Sequence, residues 1–196
     1  MKKRFEHIRK DKSLHQSDVL ILTETWLDEN HTLNDEYEIS GYMSNLNIIG
    51  RGRGIATYFK PPYEHINNVN SEGYSITKLE AENMDIIGIY RSQEGNVTSL
   101  IKELDSLITV GKTTVVGGDF NICAIAHPNN YITKSLEERG FMQIVGKSTH
   151  IEGGLIDHVY FIQGDASKLS YSIQDFAKYH SDHDGISLIL CELKEE

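Results

Sequence analysis

The sequence is poor in cysteine and proline and has no long apolar run, and these shortages exclude several protein classes. Its 196 residues include three prolines and two cysteines, and the latter form neither a disulfide framework nor a zinc-binding spacing. No stretch of about 18 apolar residues is present, so no segment is predicted to span a membrane. Residues 1–7 are basic but lack an apolar stretch behind them, unlike a signal peptide. These features favour a nuclear or cytoplasmic protein.

Positive charge is also scarce. The formal net charge is −10, from 19 Lys and Arg against 29 Asp and Glu. A tight, sequence-blind nucleic-acid binder would carry a basic face, so this balance argues against that class. Basic residues gather in residues 1–12 and, as Arg51 and Arg53, in a glycine-rich loop. Any nucleic-acid substrate is therefore expected to bind weakly and transiently.

The sequence does contain many short apolar runs of strand length, which predict a single α/β domain covering residues 1–196. Strands are predicted at 19–22, 55–59, 113–116, 141–145, 156–161, 169–173 and 186–193, with a hairpin formed by 75–80 and 84–90. Residues 97–108 have apolar side chains at three-and-four spacing after Asn96, which predicts an amphipathic helix with an N-cap. Further helices are predicted at 1–14 and 133–139. Trp26 and Leu27 are predicted to anchor the segment after the first strand.

Polar residues follow several of these strands. Glu24, Tyr90, Asp119 and Asn121 each come just after an apolar run, or at its end. Ligands in α/β folds bind beyond the carboxyl ends of the strands, so these four side chains are expected at one rim. The late sequence Ser181-Asp182-His183 is a candidate to join them. This pattern indicates an active site.

Seven short motifs, taken in chain order, resemble the endonuclease/exonuclease/phosphatase superfamily. They are Thr-Glu-Thr-Trp-Leu at 23–27, Gly-Ile-Ala at 54–56, Ile-Tyr-Arg at 89–91, Gly-Asp-Phe-Asn at 118–121, Ser-Thr-His at 148–150, Ile-Asp-His-Val at 156–159 and Ser-Asp-His at 181–183. Each motif alone is weak, but the ordered set is specific. The set is most similar to the endonuclease domain of LINE-type (non-LTR) retrotransposons.

The resemblance implies a four-layer α/β/β/α sandwich with two packed mixed sheets. It also implies hydrolysis of a phosphodiester with Mg²⁺ (or Mn²⁺) as cofactor, because the ligands are hard oxygens. The implied substrate is DNA, with no obligate protein partner and no membrane association.

The resemblance also assigns roles to individual residues. Glu24 matches the metal-ligand glutamate, and Asp182 is expected close to the metal. Asp119 is expected to handle the proton of the water or leaving group, with Asn121 orienting Asp119 or the phosphate. Tyr90 is expected to contact the phosphate, and Asp157 to hold the ring of the catalytic His183. Arg91, Thr149 and His150 are candidates for contacting the substrate, the last two in a turn that helps to hold the site.

One departure from the family pattern and several alternatives remain. The family pattern opens with an apolar strand ending in an asparagine, whereas this sequence begins at the following helix, which predicts a sheet one strand short and impaired activity. Alternative functions are a phosphodiesterase for a phosphoinositide, nucleotide or RNA end, or a non-catalytic remnant of the fold. Taken singly, the pairs Asp157-His158 and Asp182-His183 also fit ordinary surface pairs.

Overall fold

The computed structural model describes residues 2–27, 37–48, 53–165, 168–176 and 181–193, so Arg51 of the glycine-rich loop lies outside the described residues. The helices are α1 (Lys2–Lys10), α2 (Val97–Leu107) and α3 (Tyr131–Glu137). The strands are β1 (Val19–Thr23), β2 (Met43–Asn47), β3 (Ile55–Phe59), β4 (Glu64–Ser71), β5 (Tyr74–Ala81), β6 (Met84–Arg91), β7 (Thr113–Asp119), β8 (Met142–Gln143), β9 (Asp157–Ile162), β10 (Leu169–Phe176) and β11 (Gly185–Glu192). No helix in these ranges is long and apolar enough to cross a membrane.

The larger sheet has six strands in the order β4-β5-β6-β7-β9-β8. β6 and β7 are parallel and are joined through α2, whereas the other neighbours are antiparallel, so the sheet is mixed. The apolar stripe of α2 packs on one face of this sheet, where Leu104 is buried with Ile87 and Val116. The predicted N-cap is present, since Asn96 Oδ1 accepts a hydrogen bond of 2.9 Å from the Ser99 amide.

The second layer consists of two antiparallel sheets, β1-β3-β2 and β10-β11. The first packs closely on the larger sheet, because a Cβ added at Gly88 of β6 would lie 3.1 Å from Ile21 Cγ2 of β1. The second covers Val159 and Phe161 with its own apolar residues. α1 closes the outer side, where Phe5 packs with Tyr58.

These layers form the α/β/β/α sandwich, which confirms the predicted fold class. The second layer was expected to be one mixed sheet, but it consists of two separate antiparallel sheets. Among the described residues, no strand pairs with the other edge of β1.

Two edge strands escaped sequence analysis. β2 and β4 are rich in asparagine and serine and carry little of the apolar signal that marks a buried strand. The side chains of Asn47 and Asn70 join them through two reciprocal amide hydrogen bonds of 2.9 and 2.8 Å. Polar strands of this kind are identified by their partners rather than by periodicity.

A buried polar network lies behind the end of β7. The ring of His158 stacks on Phe120 at a centroid distance of 4.9 Å, and its Nε2 donates to the carbonyls of Ile122 and Leu155 at 2.9 and 3.2 Å. Its Nδ1 accepts from the Tyr160 hydroxyl at 2.9 Å. The expectation that Asp157-His158 could be a surface pair is therefore wrong for His158, which is fully buried and braces the chain after β7.

Gly118 allows β6 and β7 to approach at the rim. It has φ 144° and pairs with Ile89, and a Cβ at this position would lie 1.9 Å from the Ile89 carbonyl oxygen. We expect Gly118→Ala to lower the free energy of unfolding by about 3 kcal/mol or more, at the upper end of the usual range for single substitutions. Gly153→Ala is the matched control, because Gly153 also has a positive φ, of 86°, but nothing lies within 4 Å. Equal losses in urea denaturation of the two variants would contradict the steric account.

The His158 network predicts a pH-dependent contribution to stability. Burial lowers the pKa of His158 below its ordinary value, so the neutral ring is favoured in the fold. The stabilisation is then present above a pH of about 6.5 and is lost as the pH falls below it. We expect His158→Phe to cost about 1–3 kcal/mol at pH 7.5, because two carbonyls lose their donor. The variant should also lose less stability than the wild type between pH 7.5 and pH 5.5.

Urea denaturation at the two pH values measures both effects. His127→Phe, at an exposed histidine, is the control and should follow the wild type. An unchanged pH dependence in His158→Phe would show that the buried ring does not carry this linkage.

Candidate active site

Three neighbouring strands place three polar side chains in a row at one rim of the larger sheet. Tyr90 at the end of β6 pairs with Asp119 at the end of β7, and Asp119 pairs with Asp157 at the start of β9. The first pair is parallel and the second antiparallel, so the same edge of the sheet receives one strand start and two strand ends. The register therefore brings together residues that are far apart in sequence.

The turn after β7 fixes the Asp119 carboxylate. Asn121 adopts a left-handed conformation with φ 50°, and its amide donates to Asp119 Oδ1 at 2.9 Å. The Asn121 side-chain amide donates to Asp119 Oδ2 at 3.2 Å and to the Arg91 carbonyl at 2.7 Å. Asn121 thus ties the carboxylate to the end of the neighbouring strand.

Arg91 supports this turn from inside and is not positioned as a substrate contact. It is 6% exposed, and its guanidinium donates to the carbonyls of Gln93, Gly95 and Phe120, each at 2.9 Å. The structure therefore does not agree with the sequence-based assignment of Arg91 to substrate binding. Its guanidinium is buried and donates to backbone carbonyls of the turns that hold the rim.

The ionised form of the Asp119 carboxyl group is disfavoured by its surroundings. Burial, together with the nearby Asp157 carboxylate, raises its pKa to about 7, although the Asn121 amide opposes the shift. Glu24 adds a smaller effect in the same direction. Near neutral pH Asp119 therefore exchanges its proton readily, which is the property required of a general acid or base.

His183 is paired with Asp157 across the rim. Its Nδ1 donates to Asp157 Oδ2 at 2.9 Å, and this hydrogen bond raises the pKa of His183 to about 9. The carboxylate fixes the proton on Nδ1 and directs Nε2 away from Asp157. The imidazolium is thus stable at neutral pH, next to a carboxyl group whose pKa is near 7.

Thr149, His150 and Asp182 hold the other side of the site. Thr149 Oγ1 accepts from the Asp157 amide at 3.1 Å, which fixes the start of β9. His150 forms an isolated β-bridge with His183, and its ring meets that of His183 edge-on at 4.9 Å. His150 Nε2 lies 3.7 Å from Asp182 Oδ2. Thr149 is buried and positions Asp157, whereas His150 and Asp182 are open enough to meet a ligand.

Glu24 lies on the Tyr90 side of the site. It follows β1 in a left-handed conformation with φ 51°, and its Oε1 accepts from the Tyr90 hydroxyl at 3.2 Å. Burial, with Glu24 close by, raises the pKa of Tyr90, which therefore stays a neutral donor. Trp26, two residues later, is 54% exposed, so the prediction that it anchors the chain is wrong, whereas Leu27 is buried.

Two groups of side chains within the described ranges could hold a metal ion. One consists of Asp119, Asp157 and His183, and the other of His150, Asp182 and His183, with ligand atoms within 4.8 Å of one another in each. Glu24 belongs to neither group, and Asp182 belongs only to the second, so Glu24 and Asp182 do not form one compact ligand set. Burial and the Asp157 charge both raise the pKa of Asp119, and a cation bound among these carboxylates would offset both effects, so the residues fit a divalent metal.

Sequence analysis assigns no supporting role to His158, yet its ring donates to the carbonyls of Ile122 and Leu155 and so helps to hold the site. The available signal was its alternation with Tyr160 on β9, which turns both side chains to the same face of the sheet.

Comparison with known proteins agrees with this geometry. The model of the Endonuclease/Exonuclease/phosphatase family matches residues 6–183. Among solved structures, an AP endonuclease from Archaeoglobus fulgidus is 15% identical with a TM-score of 0.70, and covers 95% of this chain and 94% of its own. The 3′ phosphatase NExo from Neisseria, bound to a product DNA hairpin, is 14% identical with a TM-score of 0.71, at coverages of 96% and 94%.

The endonuclease domain of TRAS1, a telomere-specific non-LTR retrotransposon, is 10% identical with a TM-score of 0.67, and the coverages are 99% of this chain and 92% of that domain. No curated protein sequence matches significantly. The structural similarities show the fold, and the family match spans nearly the whole sequence. The chain belongs to the endonuclease/exonuclease/phosphatase family.

Proposed function

We propose that this protein is a divalent-metal-dependent phosphodiester hydrolase that cuts DNA internally, in the manner of a retrotransposon endonuclease. The observation that carries the proposal is that Asp119, Asp157 and His183 lie together. The pKa of Asp119 is near 7 and that of His183 is near 9. A carboxyl group with a pKa near 7 and a histidine that stays protonated at that pH supply the base and the acid that ester hydrolysis needs. The family match supports the reaction class.

DNA as the substrate rests on the character of the structural relatives. An AP endonuclease, a retrotransposon endonuclease domain and a phosphatase bound to a DNA hairpin share this fold. The net charge of −10 agrees with weak, transient binding, which suits an enzyme that must release its product.

The metal would be Mg²⁺ or Mn²⁺, held by Glu24 and the neighbouring carboxylates, with Asp182 as a further candidate ligand. Carboxylate oxygens suit these hard cations, and a bound cation would neutralise phosphate charge and polarise the phosphorus–oxygen bonds. Removing the cation with EDTA is therefore expected to abolish hydrolysis.

The residues of the chain then divide the remaining work. Asp119, oriented by Asn121, takes the proton from the attacking water or gives one to the leaving oxygen. His183, held by Asp157, donates its Nε2 proton to a phosphate oxygen. The neutral Tyr90 hydroxyl donates to the phosphate or to Glu24, and His150 contacts the substrate in this proposal.

The first prediction concerns the acid and base. Asp119→Asn and His183→Ala should each lower the rate of supercoiled-plasmid nicking in Mg²⁺ by roughly 10²–10⁴-fold, the usual contribution of a positioned acid or base. Asp165→Asn and His127→Ala, at exposed positions outside the site, are matched controls and should nick at the wild-type rate. Nicking that is equally fast in EDTA, or in both site variants, would rule out the proposal, and no nicking by the wild type in Mg²⁺ would favour a non-catalytic fold.

The second prediction concerns Glu24 as a metal ligand. Glu24→Gln keeps an oxygen that can accept from Tyr90 but removes the charge, so the Mg²⁺ concentration for half-maximal activity should rise by about tenfold or more. Direct Mn²⁺ binding, measured by electron paramagnetic resonance, should weaken in parallel. Glu82→Gln, in the turn at the opposite end of β6, is the control. Unchanged metal affinity in Glu24→Gln would remove Glu24 from the ligand set.

A further inference from the structure

Trp26 is held outward beside the site. It is the only tryptophan of the sequence and is 54% exposed, whereas Thr25 and Leu27 on either side are each 1% exposed. Tryptophan contributes most to stability when its large ring is buried. Because its indole is half-exposed, Trp26 stabilises the fold less than it would if the ring were buried in the adjacent core.

The backbone at Trp26 is strained as well. Trp26 has φ 54° and Glu24 has φ 51°, in the left-handed region that bulky side chains rarely adopt. Strain of this kind persists where the surrounding structure enforces it, and it clusters at ligand-binding sites. Here the enforcing contacts are the burial of Leu27 and the Tyr90 hydroxyl bond to Glu24. The same bend that aims Glu24 at the site turns the Trp26 ring to solvent.

Two other exposed apolar side chains are close in sequence to residues of the site. Ile125, 55% exposed, lies in the loop that follows Asn121, and Ile151, 67% exposed, follows His150. The Ile151 amide donates to the Asp182 carbonyl at 2.8 Å, which fixes Ile151 at the His183 side of the rim. Exposed apolar side chains near the proposed phosphate site would suit a ligand in which flat apolar rings alternate with phosphates.

We propose that Trp26 stacks on an unpaired nucleobase next to the scissile phosphate, so that the substrate is a nucleic acid with at least one unstacked base at the cleavage position. This inference rests on the proposed function and adds the recognition element. Every base has a π-face, so stacking on an aromatic platform is sequence-tolerant and compensates for the shortage of basic residues. Arg53, which is exposed and close enough to act electrostatically on Tyr90, adds one positive charge on the same side.

The sole tryptophan makes the test direct, because all indole fluorescence comes from Trp26. Wild-type protein in EDTA and low salt, where no cleavage occurs, is titrated with a single-stranded oligothymidylate and with an abasic oligomer of the same length and phosphate charge. We expect quenching that saturates with the thymidylate and little quenching with the abasic oligomer. Equal responses to the two oligomers would overturn the inference. A response that depends on protein concentration alone, with no oligomer present, would show that a second copy covers Trp26 and would also overturn it.

Substitution provides a second measurement that does not depend on fluorescence of the protein. Binding of a dye-labelled thymidylate, followed by anisotropy, should weaken by roughly 5- to 150-fold in Trp26→Ala, the range measured for loss of one stacked base, and Trp26→Phe should recover most of it. Ile66→Ala removes an equally exposed apolar side chain at the far end of β4 and should have no effect. A Trp26→Ala loss that is as large for the abasic oligomer would indicate a general local disturbance and contradict stacking.

The two proposals fail separately. Metal-dependent nicking without base-dependent quenching would remove the stacking role and leave the hydrolase intact. Base-dependent quenching without metal-dependent nicking would support recognition by Trp26 while the proposed catalytic function fails.

Discussion

The register of β6, β7 and β9 is the constraint on which the site depends. It sets Tyr90 beside Asp119 and Asp119 beside Asp157, so two carboxylates meet at the edge of a buried sheet. Their repulsion and the burial of Asp119 raise its pKa to about 7, and the hydrogen bond from His183 to Asp157 raises the pKa of His183 to about 9. A one-residue shift in the register of any of these strands would turn its side chain at the rim to the other face of the sheet, away from the other two. Contacts elsewhere in the molecule maintain this pairing of β6, β7 and β9.

Support for the rim comes from buried polar groups rather than from the core alone. Arg91 and Asn121 link the end of β6 to the turn after β7, and His158 holds the carbonyls of Ile122 and Leu155. The non-glycine residues with positive φ among the described residues are Glu24, Trp26 and Asn121, all at or beside the site. The backbone strain is thus concentrated where the side chains must be aimed, and the sandwich core offsets it.

Sequence analysis predicted those parts of the structure that leave a periodic signal. The β5–β6 hairpin, the Asn96-capped helix and the strand ending at Asp119 follow from apolar spacing and turn residues. The proximity of Glu24, Tyr90, Asp119 and Asn121 follows from the strand ends that precede them. The directions of individual side chains did not follow, because tertiary contacts decide them. Arg91 is drawn inward by three carbonyls and Trp26 is turned outward by a left-handed bend, and neither is visible in the local sequence.

The central claim is that this site is built around a divalent cation that its carboxylates attract. The most direct measurement is a carbon-13 NMR titration of the Asp119 carboxyl group, assigned by its loss in Asp119→Asn, in EDTA and in saturating Mg²⁺. The account predicts an apparent pKa near 7 without metal, which falls well below that value when Mg²⁺ is bound. An ordinary pKa near 3.8 in EDTA, or a midpoint that Mg²⁺ does not move, would contradict it.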